Sequence, residues 1–223
     1  MIIPALNEAA ELTETISRAR LSRAIGEVIV VDGGSTDQTR ELAEGLGCRV
    51  LKATGGRGGQ LKAGAEAARG DVLLFLHADT WLPEGGLGAV SAALDDARVV
   101  GGHFDVRFDS PRPVLRMIAF FMNLRSRASG ISTGDQAIFV RREVFETMGG
   151  YPDMPLMEDI ELSRRLKRRG RLAALPSRIT TSARKWEREG ALRTMALMWA
   201  LRFLYTVGVS PARLHRWYYG RDA

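Results

Sequence analysis

The sequence predicts an α/β fold, a mostly parallel central sheet flanked by helices with a mixed C-terminal portion. Three observations carry this. Val28-Ile29-Val30-Val31 and Val72-Leu73-Leu74-Phe75-Leu76 are unbroken apolar runs, as expected of strands buried on both faces. The runs are separated by segments of helical spacing, the alternation that yields parallel strands joined by right-handed crossovers. After about residue 98 that alternation stops, so an antiparallel or mixed edge is expected there.

In order, Ile2-Ile3 is a stub of strand, short enough to suggest a central strand clipped at the start. Asn7 is expected to N-cap a helix running towards Arg20. The Val28 strand ends in Asp32 and is followed by Gly33-Gly34-Ser35-Thr36-Asp37 and a helix to about Leu46. A short strand at 49–52 leads through Gly55-Gly56-Arg57-Gly58-Gly59 to a helix over 60–69. The next strand carries His77-Ala78-Asp79-Thr80 at its carboxyl end. Residues 99–108 and 137–140 read as strands and 111–129 as a helix. From Glu158, the apolar Leu162 and Leu166 share one helical face, opposite the arginines, in a helix ending at Gly170.

The chain has 223 residues, 45% hydrophobic and 26% charged, enough for one sizeable core; no repeat, low-complexity tract or linker divides it, so one domain is expected. Cys48 is the single cysteine, which excludes an internal disulfide and fits a reducing cytoplasm. Neither a signal peptide nor an apolar stretch long enough to span a bilayer is expected. A net charge of +6 suits an anionic partner: a phosphorylated small molecule, a membrane surface or nucleic acid.

Ligands of open α/β sheets bind at the carboxyl ends of the strands, where Asp32 and Asp79 both fall. A carboxylate at Asp79 can hold Mg²⁺ or Mn²⁺ against a diphosphate, with phosphate and water completing the shell. His77 reads as a second ligand, a sugar contact or a hydrogen-bonded residue that shapes the loop. Asp32 reads as a base or ribose contact, or as a cap on the following turn. Gly55 to Gly59 can let the backbone approach phosphate, with Arg57 as counter-charge. Glu158 and Asp159 lie in the first turn of their helix, where ionised acids are favoured; they suit proton acceptance, or simple capping.

Pro4-Ala5-Leu6-Asn7-Glu8, Asp32-Gly33-Gly34-Ser35-Thr36-Asp37, His77-Ala78-Asp79, Gly134-Asp135-Gln136 and Glu158-Asp159, in that order, resemble the motifs of family 2 glycosyltransferases of the GT-A fold. The resemblance implies a nucleotide-sugar-binding half over 1–98 and an acceptor-side half with C-terminal helices over 99–223. It implies that Pro4, Glu8, Asp32, Gly34, Arg57, His77 and Ala78 surround the donor, a UDP- or GDP-sugar, and that Asp79 binds Mn²⁺ or Mg²⁺. Asp159, with Glu158 beside it, would be the catalytic base of an inverting transfer. Gly134, Asp135 and Gln136 would face the acceptor, and Trp186 would stack on a sugar or pack under the next helix. The His-Ala-Asp-Thr and Met-Glu-Asp-Ile-Glu-Leu-Ser stretches look like the compact bacterial "transferase 2" branch associated with radical SAM and selenium-related domains and with arsenosugar biosynthesis.

His77 replaces the first acid of the usual DxD motif, and no motif places His103 or His215 at the metal. The helices over 114–124 and 192–207 read as core faces of amphipathic helices, or as a surface approached by a lipid-linked acceptor. The expected enzyme is therefore cytoplasmic, with or without peripheral membrane contact. Its acceptor is a small molecule or a lipid-linked one, and no nucleic acid is involved. Sugar nucleotidyl transfer and a silent nucleotide-binding scaffold are the rival functions. The first would release pyrophosphate and the second would hydrolyse no nucleotide sugar.

Overall fold

The computed structural model describes residues 1–22 and 24–220. Strands β1 (Ile2–Ala5), β2 (Ile29–Asp32), β3 (Arg49–Lys52) and β4 (Val72–Phe75) lie in the order β3-β2-β1-β4, all parallel. Between them run α1 (Ala9–Arg20), α2 (Thr39–Gly45) and α3 (Gly56–Ala67). Alternate side chains enter different cores: Ile3 and Val30 join Leu12, Ile16 and Phe104 on one face, whereas Ile2, Ile29 and Val31 join Leu61, Leu73 and Leu162 on the other. Burial on both sides is why these strands are apolar at consecutive positions.

The later elements are β5 (Thr80–Trp81), α4 (Gly86–Leu94), β6 (Val99–Phe108), α5 (Pro113–Ser129), a 3-10 turn (Gly134–Gln136), β7 (Ile138–Arg141) and α6 (Arg142–Thr147). They continue with α7 (Glu158–Lys167), β8 (Arg171–Thr181), α8 (Arg184–Glu189), α9 (Ala191–Thr206) and α10 (Pro211–Tyr219). Strand β7 enters between β4 and β6, antiparallel to both, which creates the expected mixed portion. Strand β8 pairs parallel with β6, and β5 closes the edge antiparallel to β8. Glycine is required in β6: a Cβ at Gly101 would meet the Phe139 carbonyl, and one at Gly102 the Ala173 carbonyl.

Several local expectations are corrected. Strand β1 runs past the stub to Ala5. Asn7 does not cap α1: it adopts φ +55°, and Glu8 takes the capping position. Its side-chain oxygen instead accepts the Thr36 N–H at 2.8 Å, and its own N–H donates to Ser35 Oγ at 2.9 Å. Asn7 thereby ties together the loops that follow β1 and β2. The glycine cluster lies within the first turns of α3 rather than in a loop ahead of it.

Strand β8 was not anticipated, because it is polar and contains a proline. Pro176 falls in a register shift, where Leu175 pairs with Phe104 but Arg178 pairs with the next residue, Asp105. A residue without an N–H is tolerated at such an irregularity. Helix α5 is core-facing through Leu115, Ile118, Ala119 and Met122, as expected. Helix α9 is not: it buries only Thr194 and Leu201 and leaves Trp199 59% and Phe203 66% exposed. Leu201 joins Met157, Ile160 and Leu214 in a small third core that seats the C-terminal helices on the start of α7. No helix among the described residues is long and apolar enough to cross a membrane.

Candidate active site

The carboxyl ends of β1, β2 and β4 deliver Glu8, Asp32 and Asp79 to one edge of the sheet, and the Glu158-Asp159 pair opens α7 nearby. A cavity of about 270 Å³ is lined by both Asp79 and Asp159, together with Arg57, His77, Gly134, Asp135 and Trp186. Acids 80 positions apart in the chain thus share one cleft. The residue before the pair, Met157, adopts φ +69°, a left-handed conformation that is costly for a side chain with a Cβ.

Asp159 is held by two backbone donors. Its Oδ2 accepts the Gly134 N–H at 2.9 Å and its Oδ1 accepts the Ile160 N–H at 2.7 Å. Gly134 can come this close because it lacks a side chain; a Cβ there would collide with His77 Nε2. Arg57 Nε lies 2.5 Å from Glu158 Oε1, with Nη2 4.0 Å from Asp159 Oδ2 and Nη1 3.4 Å from His77 Nε2. The expected phosphate counter-charge is therefore already paired with a buried carboxylate. Burial, and secondly the Arg57 charge, push His77 down to about 3, so its ring is neutral at physiological pH.

Asp32 is almost fully buried. Its Oδ1 accepts the Ser35 N–H at 2.9 Å, but Oδ2 has no partner. Burial opposes its charge, and hydrogen bonds from Ser35 and Gly34 overcome this and hold the carboxyl below its usual range. A buried acceptor left free at a strand end can take an N–H or hydroxyl donor from a ligand. Pro4 is buried in β1 and pairs with Val31, Gly34 takes φ +104° in the loop below Asp32, and Ala78 is buried with its carbonyl accepting the Thr15 hydroxyl at 2.6 Å. These three shape the strand ends.

Burial and, to a lesser degree, Asp79 raise Glu8 to about 7, against the pull of Arg184. The folded state consequently binds more protons than the unfolded chain as pH rises from the ordinary glutamate range to 7, and stability falls across that window. Glu8→Gln is expected to raise the melting temperature, by clearly more at pH 8 than at pH 5, in paired thermal melts. An equal effect at both pH values would show that the carboxyl is not held protonated.

The expected acceptor residues separate. Asp135 lines the cavity with Oδ1 unpartnered, and burial raises its pKa. Gln136 does not face the cleft: it is fully buried, accepting the Ser126 hydroxyl at 2.7 Å and donating to the Phe104 carbonyl at 3.4 Å. Trp186 lines the cavity while packing edge-on against Phe108, with ring centroids 5.3 Å apart. Arg125, Ser182, Lys185 and Arg202 also line it and were not singled out from sequence. Within their apolar helices the two arginines read only as interruptions.

Among the described residues no group of three or more His, Cys, Asp or Glu is assembled to hold a metal. Asp79 still suits one partly supplied by a ligand. Its half-buried carboxyl is raised by burial and, further, by Asp135, strain that a divalent cation would relieve. His77 is less available, since its Nε2 is the atom beside Arg57.

Residues 1–149 match the family model described as Glycosyl transferase family 2. An undecaprenyl-phosphate 4-deoxy-4-formamido-L-arabinose transferase of Pseudomonas paraeruginosa is 33% identical over 165 residues, covering 66% of this chain and 48% of the relative. A PGL/p-HBAD biosynthesis glycosyltransferase of Mycobacterium bovis is 32% identical over 169 residues, covering 68% of this chain and 62% of the relative. The chain thus spans roughly half to three fifths of these curated relatives' length. Among solved structures, a mannosyltransferase from Pyrobaculum calidifontis in complex with GDP-Man and Mn²⁺ aligns with a TM-score of 0.70 and 21% identity, over 95% of this chain and 65% of that one. Glucosyl-3-phosphoglycerate synthase from Mycobacterium tuberculosis, with Mn²⁺ and UDP-Glc, aligns with a TM-score of 0.57 and 21% identity, over 79% of this chain and 68% of that one. The fold is that of the GT-A glycosyltransferases, as the resemblance of the five motifs implies. Matched by the family model over most of its length, the chain belongs to glycosyl transferase family 2.

Proposed function

We propose that this protein is an inverting glycosyltransferase that moves a sugar from a nucleoside-diphosphate sugar to an acceptor hydroxyl. The observation that carries this is the shared cavity of Asp79 and Asp159. Asp159, its two oxygens oriented by Gly134 and Ile160, takes the acceptor proton as that oxygen attacks the anomeric carbon. The nucleoside diphosphate leaves from the opposite face. Asp79 would hold Mn²⁺ or Mg²⁺, which when bound would supply positive charge to the departing diphosphate. Asp32, at the carboxyl end of β2, is the nucleoside contact, its unpartnered Oδ2 the acceptor, and Asn7 clamps the loop that follows it. Glu158 acts by fixing Arg57, which borders both Asp159 and His77. Asp135 faces the acceptor, and Trp186 walls the cavity beside it.

Support for the donor class comes from the GDP-Man and UDP-Glc complexes of the two solved relatives, both with Mn²⁺. The His77-Ala78-Asp79-Thr80 and Met157 to Ser163 stretches support a resemblance to the compact bacterial "transferase 2" branch. In thermal shift, UDP or GDP with Mn²⁺ is expected to stabilise the protein by about 2.7 kcal/mol at a hundredfold excess over Kd. Asp79→Asn should abolish the Mn²⁺-dependent part of that shift. An unchanged metal dependence in this variant would remove Asp79 from the metal site.

A further inference from the structure

Arg125 of α5 and Arg202 of α9 line the same cavity as Asp79 and Asp159. Arg57, which also lines it, is paired with Glu158, and Arg184, next to the lining Lys185, is paired with Glu8 and Glu11. Among the described residues Arg125 and Arg202 have no carboxylate at ion-pair distance. Arg125 Nε is buried without any partner, and its Nη2 reaches only the Ser126 hydroxyl at 3.0 Å. Burial and the nearby Arg202 push Arg125 down to about 10, so like charges are held within reach of each other. Two partly buried guanidiniums that no carboxylate contacts among the described residues are unfavourable until an anion satisfies their donors.

The helices also order the cavity. On α5, Ile118, Phe121 and Met122 precede Arg125; on α9, Met195, Met198 and Trp199 precede Arg202 with identical helical spacing. The apolar ends open to solvent, with Phe121 45% and Trp199 59% exposed. The arginine ends sense Asp135 and Asp159. The cavity wall therefore combines carboxylates, guanidiniums and an apolar side that is exposed at Phe121 and Trp199.

We propose that Arg125 and Arg202 bind the phosphate of an amphipathic acceptor, a phospholipid-type molecule whose hydroxylated head reaches Asp159 and whose hydrocarbon chain lies along Phe121, Met198 and Trp199. This rests on the sugar-transfer function above and adds the acceptor's chemical class. Arginine suits the task because its planar fork binds phosphate oxygens in pairs and stays charged.

The test is calorimetric titration of the full chain with three probes. Dihexanoyl phosphatidylglycerol below its micellar concentration carries head, phosphate and chain; glycerol 3-phosphate lacks the chain; octyl glucoside lacks the phosphate. The complete probe is expected to bind at least about tenfold more tightly than either partial one, and Arg125→Gln and Arg202→Gln should each weaken it by about tenfold. UDP and GDP with Mn²⁺, titrated in parallel, should bind both variants as they bind the wild type, which also shows that the variants fold. Octyl glucoside binding equally well, or variants that bind the complete probe normally, would overturn the phosphate subsite. Glycerol 3-phosphate binding equally well would overturn the lipid chain. Failure of every nucleotide to bind the wild type would instead strike the donor assignment, leaving the three-probe comparison to decide the acceptor subsite.

Discussion

Asp159→Asn is expected to lower kcat by roughly 10²–10⁴ while donor binding stays intact, the loss typical of removing a general base. The substitution is nearly isosteric, and its side-chain oxygen can still accept one of the two backbone hydrogen bonds that orient the carboxylate, from Gly134 or Ile160. What disappears is the capacity to take the acceptor's proton. Asparagine also removes the negative charge 4.0 Å from Arg57 Nη2, but Arg57 keeps its closer partner, Glu158, so the surrounding geometry should survive. The measurement is steady-state transfer beside a nucleotide thermal shift. A kcat within tenfold of the wild type, with unchanged donor binding, would assign the proton acceptor to another group in the cavity, Asp135 first.

How much of this was legible in the sequence follows from the range of the interactions. Buried parallel strands announce themselves through local composition, so Val28 to Val31 and Val72 to Leu76 located β2 and β4, and the acids at their ends located one side of the cleft. Strand β8 was hidden because Pro176 and the charged Arg171 and Arg178 interrupt its apolar and β-branched residues, and its pairing with β6 is what makes it a strand. Gln136 looked like an acceptor contact because a short polar motif carries no direction; its amide is spent on Ser126 and Phe104. Arg57 looked like a phosphate ligand for a similar reason. Its partner, Glu158, lies 101 residues away, and only the folded chain shows that the charge is already matched.

That pairing carries the largest expected effect on stability. Glu158 is 2% exposed and Arg57 39%, so the two deletions are not equivalent. Glu158→Gln leaves a guanidinium that can turn towards water, whereas Arg57→Ala leaves a buried carboxylate with no counter-charge, at a cost of about 3–5 kcal/mol. Burial already raises the Glu158 pKa, with Arg57 opposing and Asp159 adding to the rise. Without Arg57 the folded state would hold that proton to higher pH than the unfolded chain does. The destabilisation should therefore be full above the folded pKa and shrink as pH falls through it. Chemical denaturation of Arg57→Ala at pH 8 and pH 5.5 checks the sign, and the double variant Arg57→Ala with Glu158→Gln should recover most of the loss at pH 8. A double variant no more stable than Arg57→Ala would mean that the arginine stabilises the fold through its packing rather than by neutralising the acid next to Asp159.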